Sequence, residues 1–154
     1  MSEIIENQKM IIFQLSENEY AIPVNQVRSI EKILPITRVP NVAHFVKGVM
    51  NLRGVVTPVI DLRNRFGIKE VEYSNHSRVI IVNVEEIEVG LIVDEANDVL
   101  DIHNDNIQPS PDITKNSEVD FIGGVVNLEK RLITVIDLSK VLDRNAFLLN
   151  RLEG

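Results

Sequence analysis

The chain repeats itself, and that bounds its architecture more tightly than any motif. Residues 45–67 (FVKGVMNLRGVVTPVIDLRNRFG) lie over residues 121–143 (FIGGVVNLEKRLITVIDLSKVLD) at a shift of 76, with nine of 23 positions identical. Residues 11–24 lie over 80–93 at a shift of 69, with Ile11/Ile80, Ile12/Ile81, Glu17/Glu86, Glu19/Glu88 and Val24/Val93 matching. Self-similarity of this kind marks two copies of one supersecondary unit. The two shifts differ by seven, so the connector between the blocks is longer in the second copy. A fold of 154 residues built this way consists of two small units, each too thin in core to stand well alone.

Each copy reads as β. Met10 to Leu15 and Glu19 to Val24 form a hairpin across Ser16-Glu17-Asn18. Val27 to Ile36 fits a helical turn or an irregular strand. Pro40-Asn41 breaks the chain, and Asn41 is a candidate N-cap for a helical turn ending near Gly48. A second hairpin, 49–52 with 55–60, closes on Arg53-Gly54, where Gly54 supplies positive φ. Asp61 then caps a short helix over Leu62–Phe66 that stops at Gly67.

The second copy follows suit, with 79–84 and 87–93 joined by Glu85-Glu86 and 124–128 with 131–136 ahead of Asp137, the cap of Leu138–Leu142. Between them, 94–107 is acidic and mixed, and 108–119 is a polar loop with two prolines. The tail has apolar residues at helical spacing over Asn145–Leu152. About five short strands per copy suggest closed barrels, because closure removes exposed edges. Two barrels packed together share a core and leave a crevice between them, a common place for binding.

Chemistry is hard to find. The chain has no cysteine, so disulfides and thiolate chemistry are excluded. His44, His76 and His103 lack metal-ligand spacing, and Gly123-Gly124 begins no phosphate loop. Asp61 and Asp137 are equivalent acids, but each precedes a short helix and reads as a structural cap rather than half of a catalytic pair. The acids from Asp94 to Asp105 lack the glycine and terminal glutamate of a calcium loop. No catalytic residue, metal or cofactor is expected.

A net charge of −7 and only seven aromatic residues argue against nucleic acid as a partner. The first nine residues carry three charges and no long apolar run, and no stretch approaches the ~20 apolar residues of a membrane span. A cytoplasmic address is expected. What remains is recognition. Positions that differ between the copies are where one of them has acquired a task. Arg53-Gly54 is the clearest, since the second copy has Glu129-Lys130 there. Val27 to Val39 sets Val27, Ile30, Ile33, Leu34 and Ile36 among Arg28, Glu31, Lys32 and Arg38, a mixture suited to a helix-binding groove.

The stretch FVKGVMNLRGVVTPVIDLRNRF (45–66) resembles the signature of CheW-type chemotaxis coupling proteins, as do YAIPVNQVRSI (20–30), ITRVPN (36–41) and VGLIVDEANDVL (89–100). The likeness covers about residues 10–143. It implies a mainly β domain of two SH3-like five-stranded barrels packed together, interlocked over about 10–70 and 76–143 with short helices, and a C-terminal tail over 144–154. It implies a cytoplasmic adaptor without catalysis. Its partners would be the cytoplasmic tip of a methyl-accepting chemoreceptor, associated with membrane arrays, and the regulatory domain of the histidine kinase CheA. On the resemblance, Arg53 and Gly54 form the receptor-facing turn, and Val27, Ile30, Val39 and Val99 approach the receptor groove. Many members carry an acid two places after the equivalent of Val27. Here that place is Ser29, and Glu31 is the candidate to take over its role. The coupling half of a CheV-like protein, or the adaptor of another chemosensory or pilus array, is the alternative.

Overall fold

The computed structural model describes residues 7–109 and 122–142. Residues 1–6, 110–121 and 143–154 lie outside them, and with them the helix expected over Asn145–Leu152 and most of the polar loop expected over 108–119. Among the described residues the fold is mainly β: twelve strands in two sheets, with two α-helices of four residues.

The first copy supplies β1 (Asn7–Leu15), β2 (Asn18–Pro23), β3 (Val27–Glu31), β4 (Ile36–Thr37), β5 (Val46–Leu52), β6 (Val55–Asp61) and α1 (Leu62–Arg65). The second supplies β7 (Arg78–Val84), β8 (Ile87–Val93), β9 (Glu95–His103), β10 (Ile107–Gln108), β11 (Ile122–Leu128), β12 (Arg131–Ile136) and α2 (Leu138–Val141). One sheet runs β10-β11-β12-β2-β1-β9 and the other β4-β5-β6-β8-β7-β3. Each has five full strands and one of two residues, and the orders are the same once the copies are superposed. Each also contains one parallel contact, β12 with β2 and β6 with β8.

The sheets do not follow the halves of the chain. The β1–β2 hairpin of the first copy joins the second copy's strands, and β7–β8 joins the first copy's. Each copy lends its first hairpin to the other. The divisions at 10–70 and 76–143 therefore separate the repeat copies, not the sheets, which comprise 7–23 with 95–136 and 27–93.

This exchange explains the unbroken apolar runs. A strand with both faces buried loses the alternation of a half-exposed one. On β1, Met10 and Ile12 face a core with Ala21, Ile102, Val126 and Ile133, inside their own sheet. Ile11, Phe13 and Leu15 face the other way, into a core shared by both sheets. On β7, Val79 and Ile81 join Met50, Leu52 and Val59, while Ile80, Val82 and Val84 enter the shared core. α1 and α2 add Leu62 and Leu138 to it.

One open reading resolves to its irregular-strand alternative, and one expectation changes. The 27–36 segment is strand β3 followed by a connector, preceded by a 3-10 turn at Val24–Gln26. Asn41 caps no helix: it sits in the left-handed region at φ +64, in a bend ahead of β5. Asn tolerates that region because its short side chain meets little steric resistance there, so the residue type suited either role.

Candidate docking surface

The β5–β6 hairpin is a two-residue turn with both central residues at positive φ, Arg53 at +53 and Gly54 at +87. That is the primed geometry that follows the twist of paired strands. Asn51 Oδ1 accepts a hydrogen bond of 2.8 Å from the Gly54 N–H and fixes the loop. Glu129 has φ +54 at the place of Arg53, whereas Lys130, which replaces Gly54, does not take positive φ, so the copies share the first turn position and differ at the second. Arg53 is 72% exposed and meets Glu31, 18% exposed, at 3.1 Å. Glu31 ends β3 at one edge of the sheet, and Arg53 lies beside the other edge. The contact therefore brings the two edges of the sheet together.

Of the remaining residues, Val27 packs half-buried against the shared core. Ile30 is exposed on β3, and Val99 is exposed on β9 of the other sheet. Ile30 pairs with Ile80 and Val99 with Ile11, so the two are equivalent positions, one per sheet. Val39 is exposed on the segment before β5, where Arg38, Val39, His44 and Lys47 line a shallow hollow. The structure thus joins Arg53 directly to Glu31 and sets Ile30 and Val99 on separate sheets.

Other features escape a reading of the sequence. Val56 and Leu132, equivalent at the shift of 76, are 66% and 65% exposed at the starts of β6 and β12. Arg63 on α1 grips Asp94 with two hydrogen bonds, 2.9 and 2.6 Å, and donates a third, of 2.7 Å, to the Lys69 carbonyl. Asp94 also accepts the Ser16 N–H of the β1–β2 hairpin at 2.7 Å, so this pair ties the two sheets together. Burial pushes the Asp94 carboxyl up, but Arg63 and the Ser16 N–H outweigh it and hold it below the usual range. Arg65 donates to the Val141 and Lys140 carbonyls at the end of α2 and lies 5.0 Å above the Phe45 ring. The repeat equivalents of Arg63 and Arg65 are Ser139 and Val141, so these clasps exist on one side only.

The acids that invite catalytic or metal readings are committed elsewhere. Asp61 is buried and accepts the Arg63 and Asn64 N–H groups of α1, and its second oxygen accepts the Tyr73 hydroxyl at 2.9 Å. Asp137 accepts the Ser139 N–H and hydroxyl. Asp94, Asp98 and Asp101 pair separately with Arg63, Arg131 and Lys9. Among the described residues, no three acidic or histidine side chains converge as a metal site, and no helix is long and apolar enough to cross a membrane.

The CheW-like domain model matches residues 9–146. The chain belongs to the CheW-like family. It is 48% identical to the chemotaxis protein CheW of Bacillus subtilis (strain 168), over 94% of this chain and 93% of that one. It is 31% identical to the chemotaxis protein CheW of Thermotoga maritima, over 93% of each. Among solved structures, the scaffolding protein TtCheW from Thermoanaerobacter tengcongensis superposes with a TM-score of 0.84 at 33% identity, covering 94% of this chain and 97% of that one. The two sheets described above are the two SH3-like subdomains of the CheW-like fold.

Proposed function

We propose that this chain is a cytoplasmic, non-enzymatic adaptor that couples chemoreceptor tips to the histidine kinase CheA. The carrying observation is the asymmetry of the repeat: one subdomain alone presents an exposed arginine on its β5–β6 turn. Full-length likeness to chemotaxis CheW proteins supplies the context. The receptor surface comprises Val27, Ile30, Glu31, Val39, Arg53, Gly54 and Val99, approached by the helical hairpin of the receptor. The exposed apolar ends at Val56 and Leu132 are left for the kinase regulatory domain. Receptor state reaches the kinase by linkage, which requires that affinity differ between signalling states.

Arg53→Glu tests this in a reconstituted array of receptor, adaptor and CheA. The variant is expected to keep its denaturation midpoint and to lose receptor-dependent kinase control. Full control by a folded Arg53→Glu protein would overturn the assignment. The CheV-like reading is less favoured: a CheV3 protein of Helicobacter pylori is 27% identical, and this chain covers 42% of it.

A further inference from the structure

Each repeat lends its first hairpin to the other, but the two crossovers that allow this are built differently. β8 passes into β9 through Asp94 alone, and that residue is fixed on every side. Its N–H donates to the Gln14 carbonyl at 3.0 Å, and its carboxylate takes Arg63 and the Ser16 N–H. β2 passes into β3 through the 3-10 turn Val24–Gln26. At the repeat shifts Asn25 stands in the place of Asp94 and Ser139 in the place of Arg63, so no equivalent ion pair can form there. The turn has no buried residue and no side-chain cap, and its closing bond runs from the Val27 N–H to the Val24 carbonyl. It borders a hollow lined by Asn7–Lys9 and Pro23–Gln26. Pro23 and Val27, on either side, are already extended, so straightening the turn gives up about one backbone hydrogen bond.

Among the described residues, the β1–β2 hairpin joins the rest of the chain through this turn alone, whereas β7–β8 is held at both ends. The described ion pairs of the hairpin reach only the second repeat. Lys9 meets Asp101, and Glu19 accepts hydrogen bonds of 3.0 and 2.9 Å from Arg131. Its apolar residues enter one core with Ile102, Val126 and Ile133 and the shared core on the opposite face. All of these partners lie within 27–142, and an identical hairpin from another molecule would meet every one. We propose that the hairpin is an exchangeable arm hinged at Val24–Gln26, and that two molecules of this chain trade arms to form a swapped dimer. Exchange of an identical element remakes the same contacts between molecules, and a short hinge invites it. The Asp94 clasp on Ser16 is remade as well, so it sets the rate of exchange and not the balance of monomer and dimer. The receptor surface proposed above lies within Val27–Val99 of one chain, so the dimer carries two complete receptor surfaces. That consequence alone rests on the receptor reading; the exchange does not.

The chain has no cysteine, so an introduced pair reads the exchange without background. Lys9 and Asp101 are exposed register partners across β1 and β9, and directly opposed strand residues lie within disulfide reach. The full chain carrying Lys9→Cys and Asp101→Cys is unfolded in urea with reductant and refolded over a range of concentrations. The dimer fraction is isolated by size exclusion, oxidised, and its mass measured in denaturant without reductant. The dimer is expected to grow with concentration and to yield disulfide-linked pairs of chains, twice the single-chain mass. A dimer that oxidises to single chains would be an ordinary association of outer surfaces and would overturn the proposal. So would the absence of any dimer after refolding at the highest soluble concentration. Arg63→Ala, added to the same pair, is expected to speed interconversion of separated monomer and dimer by about tenfold or more, the scale of hydrogen bonds to a charged group. It is expected to leave the final monomer–dimer ratio unchanged. A shifted ratio would mean that the clasp is not remade between molecules, and the exchange of arms would fall with it.

Discussion

Gly48 offers a sharp test of how the 27–93 subdomain is held together. It lies at a bulge in β5, where the register with β6 shifts between Val46 and Gly48, and its φ is +146. A Cβ there would stand 2.0 Å from the Thr37 carbonyl oxygen, 2.7 Å from its carbon and 3.0 Å from Arg38 Cα. All three are backbone atoms, so no rotamer change relieves the clash. Real Cβ atoms essentially never come closer than 3.0 Å, so β4 must retreat by the 1.0 Å difference.

That movement breaks the pairing of Ile36 with Met50 and of Thr37 with Val49. It also lifts Ile36 from the Met50–Leu52–Val59 core. Losing about half the burial of one isoleucine costs about 1 kcal/mol. One or two backbone hydrogen bonds add about 1–2 kcal/mol. A non-glycine residue forced into that backbone region adds about 1–3 kcal/mol. The total for Gly48→Ala is about 3–6 kcal/mol against a whole-domain stability of about 5–15 kcal/mol. At about 2–4 °C per kcal/mol for a chain of this length, the melting midpoint falls by about 6–24 °C.

Gly124 is the repeat equivalent and serves as the internal control. Its added Cβ would meet the Ile107 side chain at 2.8 Å and the Gln108 carbonyl at 2.9 Å, contacts relieved by small shifts. Gly124→Ala shares the backbone strain, at φ +159, but breaks no strand pairing, so it is expected to cost about 1–3 kcal/mol, less than Gly48→Ala. The assay is circular dichroism on heating and in urea for wild type and both variants. A Gly48→Ala midpoint within about 2 °C of wild type, well short of the drop of about 6 °C or more just derived, or a larger loss at Gly124, would refute the close-approach account.

Two further outcomes are expected. Asp94→Asn should destabilise by about 1.5–3 kcal/mol, the usual cost of losing hydrogen bonds to a charged group in a part-buried setting. Because the folded Asp94 pKa is depressed, its contribution is complete above the unfolded carboxylate value of about 4 and is lost as pH falls through the lower folded value. The gap between wild type and Asp94→Asn in urea midpoint should therefore narrow below pH ~4, and a constant gap would refute the assignment. Gly54→Val should cost about 1–3 kcal/mol from backbone strain alone, since nothing lies within 4 Å of the added Cβ. Gly54→Asn at the same place should be nearly neutral, and equal losses for the two would count against the positive-φ explanation.

Much of this fold is written locally. The hairpins, their two-residue turns and the Asp61 and Asp137 caps all follow from short-range chemistry, and each stands where its residues place it. Strand β9 does not. Its acids interrupt Val99, Leu100 and Ile102, so the segment reads as a polar connector, yet it is a nine-residue strand. Charged residues suit an edge strand because they discourage pairing with another molecule. The hairpin exchange leaves no trace either. Both copies carry the same local pattern, and that pattern is equally satisfied whether a hairpin packs on its own copy or on the other. The turn arginine is legible because the copies differ there. Its pairing with Glu31 is not, since strand period identifies a face without fixing which residues meet across a closed sheet.

The exchange also bears on how an adaptor of this kind transmits anything. Two barrels joined by a flexible linker would let a partner on one move without consequence for the other. Here the shared core takes Ile11, Phe13 and Ile22 from one sheet and Ile80, Val82 and Leu91 from the other, with Leu62 and Leu138 from the two helices. Arg63 on α1 reaches Asp94, which holds Ser16 of the other sheet, and Arg65 holds the end of α2. Close-packed interiors deform little and move as blocks. A partner that displaced the Arg53 hairpin would therefore work against β6, and through β6 against β8, a strand contributed by the other copy. Such a displacement would bear on both subdomains, because each half of the sequence is part of both sheets and both sheets share the core.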